Sequence, residues 1–293
     1  MHLPPFLPLF LFSLPTLARD PLGDTISGIL KSLLDQHDHT WLPARVLHPN
    51  LTYTENNIVY PIGTTPLWKN AVQRPVINWY NGWWNGHFDH DSMQAVAILV
   101  IEENSVPALL VMRMRMDWES GAVTELELQI VRDDVEGADH YVAVAKEDGP
   151  NAMGPEWEED LSGGEARLTA AKVYELGKGY YEGKSVTGFW EGCYRIDNGR
   201  PKTSCADAPA VVQASKVHGR GRRFLVAAAN VQRKNVFSVA IVDIDGSSWL
   251  VAESLRFNGL ELIDRMETSW TEVPYRSAPP FEQAAVKWST HWP

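Results

Sequence analysis

The segment Gln94–Asp133 (QAVAILVIEENSVPALLVMRMRMDWESGAVTELELQIVRD) constrains this chain more than any other. Turn-forming breaks at Glu103–Val106 and Glu119–Gly121 divide it into the runs Gln94–Glu102, Pro107–Asp117 and Ala122–Asp133. In the middle run Ala108, Leu110, Met112, Met114 and Met116 alternate with Leu109, Val111, Arg113, Arg115 and Asp117. A period of two over that length is a strand pattern, not a helical one. The third run alternates as well, with Thr124, Leu126, Leu128 and Ile130 set against Glu125, Glu127 and Gln129. Three such runs joined by short turns predict a meander of long antiparallel strands.

The same pattern returns about 140 residues later, as Asn235–Asp243, Ser248–Phe257 and Leu260–Trp270 with glycine-containing turns between them. Gln94, Pro107 and Ala122 correspond to Asn235, Ser248 and Leu260. A supersecondary unit repeated at a fixed offset predicts a duplicated domain. The repeat lies in the pattern, since few residue identities are shared.

The 293 residues have room for two domains of ordinary size, and 44% hydrophobic content with 12 Trp predicts packed cores. A net charge of −11 without a basic block argues against nucleic acid as a partner. The N-terminal apolar run is too short and too rich in proline to span a membrane. It ends in Thr16-Leu17-Ala18, a small-x-small pattern that predicts a secretory leader over 1–18. Asn50-Leu51-Thr52 is a glycosylation sequon, with Asn50 as the acceptor. In an oxidising compartment Cys193 and Cys205 are expected to pair; two free thiols are the alternative.

In chain order, Asp24–Asp38 has helical spacing, with Asp24 or Thr25 as its cap. Ala44–Pro61 reads as strands around a turn at Asn56-Asn57, and Thr65–Ala71 as a short helix with Pro66 at its first position. Arg74–His87 is aromatic and strand-like. Val135–Gly164 is acidic and rich in glycine and proline, as a linker would be. Glu165–Tyr181 reads as a helix, Asp207–Gly221 as a mobile stretch, Arg222–Ala229 as a strand, and the residues after Trp270 as an irregular arm. The expected division is a first domain over 19–140, a linker over 141–164, a second domain over 165–270 and an arm over 271–293.

A helix followed by long antiparallel strands is an α+β order. Helices laid on a curved antiparallel sheet make a cone, and that outline, twice over, resembles the ketosteroid-isomerase or NTF2-like fold. Several phrases resemble a family of secreted fungal proteins with two such halves. They are Leu51–Glu55, Leu67-Trp68-Lys69, Leu110–Val131 with Gly121 and Thr124-Glu125, Ala170–Tyr181, Cys193–Gly199 with Thr203, and Arg222-Arg223-Phe224. Similar proteins are encoded beside fungal polyketide pathways, and some are implicated in dimerising maleic-anhydride monomers to maleidrides. No catalytic motif carries over residue by residue. Where many relatives have a turn like Asp-Pro-Glu, this chain has Asp89-His90-Asp91 after His87.

Candidate chemistry comes from the residues themselves. His87, Asp89, His90 and Asp91 put four titratable groups within five positions, suited to proton transfer or, alternatively, to a metal ion or a polar turn, of which the turn is the default. Tyr53 and Glu55 share a strand face, so one could donate to an enolate oxygen while the other acts as base. Trp68, Trp79, Trp83 and Trp84 are candidates for an aromatic wall. Arg113, Arg195, Arg222 and Arg223 are candidate anion ligands, with a cross-strand pair to Glu125 as the competing account of Arg113. No phosphate loop, dinucleotide glycine motif or nucleophile elbow is present and no cofactor is expected; two cysteines alone do not make a zinc site, and no metal is expected.

These readings converge on a secreted, cofactor-independent enzyme. It would move protons on a polyketide-derived acid or anhydride, as an isomerase, cyclase or dehydratase, with maleidride formation as the reaction the resemblance implies. The productive pocket is expected in the first half, where Tyr53, Glu55, Trp79–Trp84 and His87–Asp91 could converge. A non-catalytic binder of small molecules on the same scaffold is the alternative. A second copy of the chain and a pathway protein are candidate partners beside the small-molecule substrate.

Overall fold

The structure, a computed structural model, describes residues 21–43, 45–73, 85–89, 92–132, 170–181, 188–198, 200–202, 204–227 and 235–274. In the first half, α1 (Pro21–Lys31) continues through one π-helical turn, Ser32–Gln36, and stops at His37 in the left-handed region. There follow β1 (Leu47–Glu55), β2 (Ile58–Val59), α2 (Pro66–Asn70), β3 (Ala71–Gln73), β4 (Asn85–Asp89), β5 (Gln94–Glu103), β6 (Val106–Met116) and β7 (Val123–Val131). The second half has α3 (Ala170–Tyr181), β8 (Phe189–Asp197), β9 (Arg200–Lys202), α4 (Ala210–His218), β10 (Arg220–Ala227), β11 (Asn235–Ile244), β12 (Ser247–Phe257) and β13 (Ile263–Val273). The chain is thus α+β with two sheets.

The hairpin turns follow from residues that tolerate positive φ. Asn56-Asn57, Asn104-Ser105 and Asp245-Gly246 each place two consecutive residues there, which matches the twist of the strands they join. The two sheets have one topology. The first runs β2-β1-β7-β6-β5-β3, with β4 also pairing β5; the second, in reverse, runs β9-β8-β13-β12-β11-β10. In each, the first long strand lies parallel to the last, β1 to β7 and β8 to β13. The expected antiparallel sheets are therefore mixed. A hairpin fixes the direction of its two strands, but the outer strand and the last strand are joined only through the rest of the half.

Other expectations shift locally. Asp24 and Thr25 lie within α1, which already includes Pro21. The run expected from Leu260 starts at Ile263, because the Asn258 side chain accepts from the Leu260 and Leu262 amides and holds a turn there. The stretch read as mobile contains α4, which starts after Pro209 and buries Val212 and Ser215. The linker lies outside the described residues, as do the leader and most of the arm.

Strands β5 and β6 are buried on both faces, and their alternation sorts two cores. Ala95, Ala97, Leu99, Leu110, Met112 and Met114 pack under α1, against Ile26, Ile29, Leu30 and Leu33. The opposite face presents Val96, Ile98, Val100, Leu109 and Val111 to Phe237, Val239, Ile241 and Leu250 of the second sheet. The sheets thus pack back to back with their helices outside. Near the middle, Gln129 of β7 donates to the Leu250 carbonyl at 2.9 Å and accepts from Ser269 of β13 at 3.0 Å. Gln129 and Ser269 occupy equivalent places in the two halves, and equivalent residues meet where two halves are related by a twofold axis.

Candidate functional site

The duplicated topology allows the helix-covered faces to be compared strand by strand. In the first sheet, register aligns Ala97, Met112, Leu128 and Glu55 in one row across β5, β6, β7 and β1. The equivalent row of the second sheet is Ser238, Glu253, Thr268 and Asp197, across β11, β12, β13 and β8. The neighbouring rows are Ala95, Met114, Leu126 and Tyr53 in the first half, and Val236, Leu255, Met266 and Arg195 in the second. Where the first half places alanine, methionine and leucine, the second places a line of polar side chains.

The second-half line is dry. Glu253 is 1% exposed. Its Oε1 accepts from Tyr180 Oη of α3 at 3.2 Å, and its backbone carbonyl accepts from Tyr181 Oη at 3.3 Å. Its Oε2 has no hydrogen-bond partner among the described residues. Burial raises the Glu253 pKa above the ordinary carboxylate value, an effect opposed by Lys216, Arg222 and the two phenols. Burial beside that carboxylate also holds Tyr180 and Tyr181 well above the usual phenol range, so both stay protonated as donors.

Three cations surround these groups. Lys216 of α4 sits with Nζ 4.0 Å from the centre of the Tyr180 ring, and burial lowers its pKa. Arg222 of β10 lies 4.7 Å from the centre of the Tyr181 ring, donates to Ser238 Oγ at 2.9 Å and also to the Ser215 carbonyl. Arg195 of β8 pairs with Asp197 at 2.9 Å, and Asp197 in turn accepts from Thr268 Oγ1 at 2.5 Å. A disulfide joins Cys193 to Cys205, with Cα atoms 5.9 Å apart, as expected from the sequence. It ties β8, two residues before Arg195, to the segment that leads into α4, and so holds Arg195 and Lys216 within one frame.

The first-half candidates sit differently. Tyr53 and Glu55 do meet: Glu55 Oε1 accepts from Tyr53 Oη and from Thr65 Oγ1, and Trp68 Nε1 donates to Tyr53 Oη at 2.9 Å. Tyr53 and Trp68 are fully buried in the apolar core under α1. Burial raises the pKa of Tyr53 and of Glu55. Asp89 accepts from the Ser92 amide at 3.2 Å and from Ser92 Oγ at 2.6 Å, an aspartate-capped turn. His87 belongs to β4 by its backbone, while its side chain, His90, Asp91, Trp79, Trp83 and Trp84 lie outside the described residues. Arg113 is 2% exposed and bonded to Glu125, Glu127 and Gln94, so the cross-strand account holds for its known contacts. Arg223 belongs to β10 by its backbone, with its side chain outside the described residues, and Asn50 is exposed on β1.

Sequence reasoning named Arg195 and Arg222 but missed Glu253, Tyr180, Tyr181 and Lys216. A signal was present. In SSWLVAESLRF, Glu253 is the one charged residue in the alternating series Trp249, Val251, Glu253, Leu255 and Phe257. A carboxylate on an otherwise apolar strand face is exposed, paired or functional. Comparison of the chain with protein-family models and with curated proteins finds no match. Among the described residues no helix is long and apolar enough to cross a membrane.

Proposed function

We propose that the chain is a tandem NTF2-like protein whose second half catalyses proton transfer on a small carbon acid without a cofactor. The shared order of strands and helices in both halves supports the fold, and the family resemblance supports a substrate from polyketide metabolism. One observation carries the reading: Glu253 is a buried carboxylate between two phenols and two cations, with one oxygen that has no partner among the described residues. In the mechanism, Glu253 Oε2 removes a proton from the carbon beside a substrate carbonyl. The bonding electron pair moves onto the carbonyl oxygen, and the resulting enolate accepts a hydrogen bond from Lys216 Nζ, while Tyr180 Oη keeps donating to Glu253 Oε1. Return of the proton at another carbon gives isomerisation; attack of the enolate on a second carbonyl carbon, with the proton passing from Glu253 to the new alkoxide, gives cyclisation; loss of a β-hydroxyl group, protonated by Glu253 as it leaves as water, gives dehydration. Tyrosines that stay neutral suit this role, because they donate throughout the cycle. The buried disulfide supports folding in an oxidising compartment.

Gene deletion with metabolite profiling identifies the compound that accumulates. That compound, incubated with the purified protein in D2O, is expected to exchange its acidic proton. Glu253→Gln should slow turnover by roughly a hundredfold or more, the scale of a general base. Full activity in Glu253→Gln would leave only the binding reading.

A further inference from the structure

Around Glu253, the described side chains Arg195, Lys216 and Arg222 face two carboxylates, Glu253 and Asp197, while the Arg256–Asp264 pair, Arg265 and Glu267 are further buried charges of this half. Arg195 is 4% exposed; Nη2 pairs with Asp197, while Nε and Nη1 have no hydrogen-bond partner among the described residues. Arg222 differs, since Ser238 and the Ser215 carbonyl hold two of its nitrogens. The first half shows the filled version of the same place. There Tyr53 takes the position of Arg195, and Glu55 and Trp68 both bond its hydroxyl. A buried guanidinium with bare donors is costly, and an oxyanion is the acceptor that matches both its charge and its geometry.

We propose that Arg195 anchors a carboxylate of the substrate, which makes the ligand a monoanionic carbon acid. This rests on the site assigned under the proposed function and narrows its substrate class. Bound there, the anion gives the Arg195 Nε and Nη1 donors the acceptor that no described residue supplies. The geometry also orients the ligand. Arg195 and Glu253 lie on β8 and β12, which flank β13, and in adjacent rows, so their backbones are about 12 Å apart. A carboxylate at Arg195 therefore leaves a carbon several bonds away within reach of Glu253 Oε2, with Tyr180 and Lys216 beside it. Arg195 acts here as a specificity residue, and Glu253 keeps the chemistry.

The test uses two matched probe pairs, octanoate with octanamide and phenylacetate with phenylacetamide, titrated into the full chain at neutral pH by calorimetry. The wild type is expected to bind at least one carboxylate tenfold or more tightly than its amide. Arg195→Met combined with Asp197→Asn, which leaves no lone buried carboxylate behind, should reduce that preference below about twofold. Glu253→Gln should keep it. A wild type without preference, a preference that survives in the double variant, or failure of both carboxylates to bind overturns the proposal. A double variant that does not fold is covered by the wild-type protein, whose Arg195 Nε–H resonance should shift with octanoate and not with octanamide; an unmoved resonance overturns the proposal too. If Glu253→Gln keeps full turnover while carboxylate preference follows Arg195, the proton-transfer reading fails and the anchor stands.

Discussion

Glu253 is the residue at which stability and chemistry pull apart. Burial raises its pKa above the reference 4.5, so the folded protein holds a proton that the unfolded chain releases. Stability from this group is present below the unfolded value and is lost as pH rises through the folded one. Glu253→Gln removes that loss, since glutamine resembles the protonated acid. The variant should melt a few degrees above wild type at pH 8, with the gap closing toward pH 4; about 2–4 °C corresponds to 1 kcal/mol in chains of this size. A gap that stays constant with pH would show that the carboxylate is not the cause. Wild-type turnover should rise with pH as Glu253 ionises, while Tyr180, Tyr181, Lys216 and Arg222 shape the midpoint. In the first half, burial raises the Glu55 pKa too, but its Oε1 already accepts from Tyr53 and Thr65, so it stiffens a core.

At the scale of elements, α3 must lie close to β11 to bring Tyr180 and Tyr181 over Glu253. Gly177 permits that approach: a Cβ there would stand 2.7 Å from Val236 Cγ1. Glycine costs a helix interior about 1 kcal/mol relative to alanine, so helix propensity alone would favour the substitution. Contact decides the other way. Gly177→Ala should destabilise the chain by about 1–3 kcal/mol and lower turnover, and Val236→Ala should rescue both. Failure of the rescue, in melting and in activity, would refute close packing as the reason. Strand positions in both meanders were readable from period two, because core and solvent, or core and core, alternate along a strand. The short helix at Pro66 and the Asn56-Asn57 turn were readable from local backbone chemistry. The parallel pairing of β1 with β7 and of β8 with β13 was not, because no local residue encodes the return of a distant strand. α4 was missed because only Val212 and Ser215 are buried along it, too few for a helical period. Glu253, Tyr180 and Lys216 come together only through that pairing and that helix, so the site stayed hidden while its single residues were in view.

Across the whole molecule, the two halves share one core between their sheets, pinned by Gln129. Replacing Gln129 with leucine would leave the Leu250 carbonyl and the Ser269 hydroxyl buried without that partner. A loss of about 1–3 kcal/mol is expected. Wild-type β6 and β12 amides should lose protection from hydrogen exchange in one transition, because neither sheet can expose that shared face alone. Two separate transitions would contradict this. The unlike rows, Ala97-Met112-Leu128 in one half and Ser238-Glu253-Thr268 in the other, have a consequence for how such a chain can change. Marginal stability normally limits how many polar groups a small interior can hold. Here an oily half is welded to a polar one, and its surplus cohesion extends across the joint. Substitutions along the floor of the second half should therefore be tolerated in larger numbers than a lone domain would permit, and a library built there would explore new specificities with the first half as ballast.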